Sequence, residues 1–168
     1  ALAQSRKLGQ ITGAMRQAKW KIREALSQIP ELTFRTVLDP AGDSGPFMIT
    51  TFSDADTCTR FVEALRAEGI RGPEGSLSCL TMREWGLHWY FNIPSLTNKR
   101  SNSRDGFPWT HPENAFASEI SYDRGNLPVC DDLHGRSALL TIASKLTGDD
   151  VDDIILAHRK VANGLFNR

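Results

Sequence analysis

Three polar side chains at alternating positions, His88, Tyr90 and Asn92, are the first candidates for chemistry. In an extended segment alternate residues point the same way. One face would then carry an imidazole, a phenol and an amide, a set suited to the hydroxyls of a polyhydroxylated ligand. Read as structure alone, the same face is an ordinary solvated strand side. Farther along, Asp131, Asp132 and His134 place carboxylates and an imidazole close together. Adjacent residues on a loop rarely converge on one ion, so no metal is expected there. Asp149, Asp150, Asp152 and Asp153 form an acidic run, but a calcium loop needs ligands alternating around a glycine turn. This run leads straight into a helical pattern, where carboxylates suit the helix dipole. Lys99, Arg100 and Arg104, interleaved with Phe107 and Trp109, have the types that grip phosphate and stack a base. A nucleophile elbow, a phosphate-cradling GxxxxGK[ST] and a helix-opening GxGxxG are all absent.

Most of these residues fall in one stretch, 88–136, which holds both tyrosines, Trp89, Trp109 and four prolines, with no sustained helical or strand period. Ordered loops of this length are uncommon and usually functional. Its aromatic content speaks against disorder. Its proline and glycine content argues against ladder hydrogen bonding, so its polar side chains are expected to be free for a ligand while other elements supply the core.

Those elements can be read in order. Leu8, Ile11, Met15, Ala18, Ile22, Ala25, Leu26 and Ile29 recur every three or four residues, the stripe of a long helix that Pro30 stops. Gly9 and Gly13 lie within it, and close backbone packing is the expected compensation for their low helix propensity. Residues 32–38 and 47–52 read as strands joined by a Pro/Gly turn cluster and paired antiparallel. Ser53 is the expected cap of a helix that buries Ala55, Cys58, Phe61, Val62 and Leu65, closed by Gly69. Residues 77–82 are a candidate short strand and 138–143 a further one. Thr147 caps a last helix, with Asp150 completing the capping box. Val151, Ile154, Ile155, His158, Val161, Ala162 and Leu165 share its inner face, and His158 is expected to be a satisfied core-edge histidine. The first residues carry no capping signal, which suggests a segment of a larger protein.

The composition sets limits. At 168 residues the chain is long enough for one domain with a proper core. Lys and Arg total 20 and Asp and Glu total 20, so no global field steers it to nucleic acid or an anionic membrane. Mean hydropathy is −0.34 and no apolar run approaches bilayer length. Cys58, Cys79 and Cys130 make neither a CxxC pair nor a disulfide framework, so reduced thiols and a cytoplasmic setting are expected.

Several phrases, in order, are similar to the C-terminal part of the DegT/DnrJ/EryC1/StrS family of pyridoxal-phosphate-dependent sugar aminotransferases. Ser5-Arg-Lys-Leu-Gly-Gln-Ile-Thr-Gly-Ala14 resembles the family's Asn-x-Arg-Met-x-Glu-x-x-Ala-Ala at the start of a long helix. Leu65 to Ile70 resembles its L-x-x-x-G-I. Residues 126–133, Arg136 and 138–143 resemble its closing strand, and Leu146 to Ile155 the start of its terminal helix. His88-Trp-Tyr and Gly106-Phe-Pro-Trp109 resemble the branch acting on 3-deoxy-octulosonate sugars.

The resemblance implies an α+β fold: a short antiparallel sheet with helices on one side, entered by a long interdomain helix at residues 1–30, with residues 31–168 as the small domain carrying the substrate loop 88–136. It implies that pyridoxal phosphate is bound mainly by a large domain outside these residues. No lysine here stands in the family's Schiff-base motif, so the chain alone is expected to be inactive, without catalytic residues. Ser5 falls where the family has an asparagine reaching the cofactor phosphate, and His88, Tyr90 and Asn92 fall where its loop faces the keto-sugar. Lys7 and Gln10 depart from the family's arginine and glutamate. An amino-acid donor and a homodimer are the implied partners, with neither nucleic acid nor membrane. The alternatives are a stand-alone, non-catalytic small-molecule-binding or regulatory module, and an RNA-contacting domain using 99–109.

Overall fold

The computed structural model describes residues 2–73, 75–87 and 89–167. Helices α1 (Leu2–Ser5) and α2 (Leu8–Leu26) lead into β1 (Thr33–Phe34), β2 (Phe47–Thr51), α3 (Ala55–Ala67), β3 (Cys79–Thr81) and α4 (Met82–Trp85). Short turns of helix follow, α5 (Pro94–Thr97) and α6 (Pro128–Gly135) among them, before β4 (Ser137–Thr141) and α7 (Gly148–Phe166) close the fold. The sheet is antiparallel throughout, in the order β1-β2-β4-β3. The fold is the expected α+β arrangement, a short antiparallel sheet with its long helices on one face.

Alternation along the strands decides what each face meets. Met48, Thr50, Cys79, Thr81, Ala138 and Leu140 share one face by register. Met48, Cys79, Ala138 and Leu140 there join Ile22 and Leu26 of α2, Cys58, Phe61 and Val62 of α3, and Ile155, Val161 and Ala162 of α7 in one core. The amphipathic stripes of α2, α3 and α7 are therefore buried together, as their periodicity requires. On the opposite face, Leu80 and Leu139 are also buried. There Trp85 of α4 lies 6.2 Å from the Phe47 ring.

The strand expected over 32–38 shortens to two residues. After Arg35 N–H donates to the Ile49 carbonyl at 3.1 Å, the chain leaves the sheet. What draws it away is α2. Lys19, 3% exposed, reaches Asp43 at 2.5 Å. Arg16 donates to the Ala41 carbonyl. Gly45 has φ +78°, and a Cβ there would stand 2.4 Å from the Arg16 backbone nitrogen, so only glycine fits. Burial of Asp43 would raise its pKa, but the Lys19 and Gly45 hydrogen bonds and the Lys19 and Arg35 charges together hold it below the usual carboxylate range.

Other boundaries moved for local reasons. Helix α2 stops at Leu26 rather than Ile29, because Ser27 N–H turns to the Glu24 carbonyl. Asp54, not Ser53, caps α3 and accepts from Thr57 N–H at 2.8 Å, while Ser53 Oγ donates to its other oxygen. The residues before β4 open a helix at Pro128 rather than a strand, since proline is well placed at a first helical turn. Gly9 and Gly13 have no packing partner: a Cβ on either would meet nothing within 4 Å among the described residues. Thr147 and Asp150 form the capping box as expected.

His158 is buried, with Nδ1 2.7 Å from the Ile154 carbonyl, which makes Nδ1 the protonated nitrogen of a neutral ring. Burial pushes its pKa down from 6.5 to about 4, against the smaller upward pull of that bond. Cys58 and Cys79 are likewise buried, and burial lifts their thiols to about 12 and about 11.

Two outcomes follow. Asp43→Asn leaves the Lys19 ammonium buried without its counter-charge and should cost roughly 3–5 kcal/mol in urea unfolding, whereas Lys19→Met combined with Asp43→Asn should recover most of it. For His158, the native ring resists the proton that the unfolded ring accepts at ordinary histidine pKa. Its contribution is complete above pH 6.5 and falls away as the pH drops towards about 4, by about 3 kcal/mol. Urea midpoints at steps across that window should decline in the wild type and decline less in His158→Gln; parallel curves would refute the linkage.

Candidate functional site

The stretch 88–136 leaves the scaffold through a strong local anchor. Thr81 caps α4, with Glu84 N–H donating to its Oγ1 and the Glu84 carboxylate accepting from Thr81 N–H at 2.7 Å. Arg66 of α3 forks onto that carboxylate at 2.9 and 3.0 Å and donates from Nε to the Cys79 carbonyl. Burial would raise the Glu84 pKa, but the Arg66 and Thr81 bonds outweigh it and lower it. Gly86, in the left-handed region, then turns the chain out.

Beyond it the chain is not extended. Tyr90–Asn92 is a turn of 3-10 helix, so Tyr90 and Asn92 do not alternate along one extended face. His88 lies outside the described residues. Tyr90 is buried, and its hydroxyl donates to Asp131 Oδ2 at 3.1 Å while accepting from Gly125 N–H at 2.9 Å and Leu127 N–H at 3.3 Å. Gly125 N–H also reaches Asp131 Oδ2 at 3.0 Å. Asn92 is exposed and donates to the Gly86 carbonyl at 2.9 Å, bracing the turn from which it projects. Ser5, at the other end of the chain, is exposed and donates to the Leu2 carbonyl at 2.9 Å. The structure thus ties Tyr90 to Asp131 and leaves Asn92 and Ser5 at the surface, on separate elements.

The same inward bonding runs along the stretch. Trp89 Nε1 donates to the Met82 carbonyl at 3.1 Å, and its ring lies 4.9 Å from His134. Trp109 is buried and donates to the Arg100 carbonyl at 3.1 Å, so it is not open to stack a base, and Lys99 is engaged with the Ser118 carbonyl. Asp132 pairs with Arg136 at 2.8 Å. No group of three His, Cys, Asp or Glu capable of holding a metal ion gathers among the described residues. Leu127, Val129 and Leu133 face outward, 49%, 74% and 42% exposed, and with His134 line an open hollow of about 460 Å³.

Sequence reasoning missed the partnership of Tyr90 with Asp131 and Gly125. The two side chains lie 41 residues apart, and no local pattern announces a contact at that separation. The lysines are placed as surface or structural groups. Lys19 is ion-paired in the core, Lys21 bonds Asp152, Lys160 bonds Glu68, and Lys7 and Lys145 lie at the surface.

No protein-family model matches the chain. A solved structure shares its fold: the aminotransferase TlmJ from Streptoalloteichus hindustanus superposes with a TM-score of 0.62 at 16% identity. The match covers 98% of this chain and 35% of that one, so the chain spans about a third of the aminotransferase's length. Among the described residues no helix is long and apolar enough to cross a membrane.

The Tyr90 network has a measurable signature. Tyr90→Phe removes the hydroxyl that serves two amides and a carboxylate, at a cost of about 1–3 kcal/mol if its partners stay buried. Hydrogen exchange at Gly125 and Leu127 should accelerate, while amides of α2 and α7 keep their protection. Unchanged exchange at both positions would show that the hydroxyl does not hold this turn.

Proposed function

We propose that this chain is the C-terminal small domain of a pyridoxal-phosphate-dependent sugar aminotransferase, completing the active site and contacting the keto-sugar. One observation carries the reading: nearly the whole chain matches about a third of an aminotransferase. The motif order in the sequence supports the narrower family, DegT/DnrJ/EryC1/StrS, and its octulosonate-acting branch. The amino-acid donor, the homodimer and the cytoplasmic setting belong to the same proposal.

The residues present do not make a cofactor site by themselves. Lys19, the one buried lysine among the described residues, is committed to Asp43. When bound, pyridoxal phosphate supplies the electron sink for amino transfer. Ser5 is the one residue of this chain proposed to reach its phosphate, and its hydroxyl would have to turn away from the Leu2 carbonyl to donate. On the sugar side, His88 and Asn92 are proposed to meet the substrate's hydroxyls. Tyr90, with its hydroxyl already served by three groups, contributes by holding the 125–131 turn in place.

Two measurements test the reading. The 168-residue chain, mixed with pyridoxal phosphate, amino donor and keto-sugar, should show no turnover and no lysine-linked cofactor absorbance; turnover would sink it. In the full-length protein, Asn92→Ala should lower kcat/KM for the keto-sugar by up to about tenfold, with the amino-donor half-reaction unchanged. Equal losses in both halves would assign Asn92 to the fold or the cofactor.

A further inference from the structure

At the end of the sheet away from Tyr90, where β4 finishes and α7 begins, lies an open hollow of about 630 Å³. That volume is in the range of small-molecule sites. Its walls come from three directions: Ile70 after α3, Leu140 of β4, and Leu146, Ile154 and Ala157 at the start and along the side of α7. These side chains make an apolar floor, with Leu140, Ile154 and Ala157 themselves buried. The mouth carries charges of both signs, and they are not equivalent. Lys160 and Glu68 neutralise each other at 2.6 Å. Asp150 is committed to Thr147, accepting from its N–H and its hydroxyl at 2.7 Å each. Arg71 and Asp153 remain, both lining the hollow, both exposed, and neither with a side-chain bond to another described residue.

An apolar floor beneath a cation and a carboxylate that bond no other described side chain is complementary to a molecule with an apolar body and both charges on its head. We infer that this hollow is a binding site for an α-amino acid with an apolar side chain, its carboxylate read by Arg71, its ammonium by Asp153, and its side chain laid on Ile154 and Leu140. The inference needs no catalytic role for the chain and stands whether or not the aminotransferase reading holds. Surface charges contribute modestly one at a time, so the affinity expected is millimolar, set by the floor and tuned by the rim.

The test uses L-norleucine and its two amputated forms, pentylamine without the carboxylate and hexanoate without the ammonium. Amide spectra of the ¹⁵N-labelled chain are followed during titration. Norleucine should give saturable shifts at Ile70, Leu140 and Ala157, and each amputated probe should bind at least about fivefold more weakly. Arg71→Gln and Asp153→Asn, both exposed positions that should leave the fold intact, should each weaken norleucine by a similar factor. Absence of a saturable response up to about 50 mM, equal binding of the three probes, or variants that bind as the wild type does would each overturn the inference.

Discussion

The fold depends on where β4 goes. It enters the sheet between β2 and β3 and pairs with both, so the centre of the sheet does not exist until residues 137–141 arrive. Before that, β2 and β3 have no shared neighbour, and α3 has only part of a surface to pack on. After it, α7 follows directly and closes the core against α2 and α3. Contacts of such long sequence separation are entropically expensive to make. The fold is therefore secured late in the chain, by two elements that come after its most irregular part.

That order gives the stretch 88–136 its character. It departs just after β3 and returns as β4, and Thr81 and Ala138 are direct strand partners. Both feet stand side by side on the sheet, which makes a long excursion tolerable without a ladder of its own. Internal bonds from Trp89, Tyr90 and Trp109 then order it. Many of its polar groups are spent on its own backbone, and Leu127, Val129 and Leu133 are among the side chains left outside. A segment built this way is a rigid presenter of shape more than a set of free hydrogen-bonding arms.

The sequence was most readable where one physical rule acted alone. The stripes of α2, α3 and α7 follow from the helical period, and Thr147 with Asp150 from capping chemistry. The buried neutral His158 follows from its place on an apolar face. Legibility failed where a distant partner overrode the local pattern. Residues 35–38 have strand character, yet Lys19 on the preceding helix captures Asp43 and pulls the following loop away from the sheet. No neighbour in sequence points to a partner for Asp131, yet Tyr90 claims it across the excursion. The alternation around Tyr90 and Asn92 suggests a strand face, but after Gly86 the chain forms a 3-10 turn at Tyr90–Asn92. In the first two cases the deciding contact is invisible to any window of neighbouring residues, whereas the turn at Gly86 is local.

The clamp of the 39–45 loop on α2 has a mechanical side. From Arg16 onward the helix is gripped, by the Gly45 backbone packed against it and by an ion pair shielded from water. Ahead of that grip, Gly9 and Gly13 meet no described residue on the side a Cβ would occupy, and glycine is the residue that least resists bending a helix. Stiffness along α2 is thus graded, high at its inner end and low at its outer end. A force applied near Leu8 would bend the helix among the glycines before it could tilt the sheet.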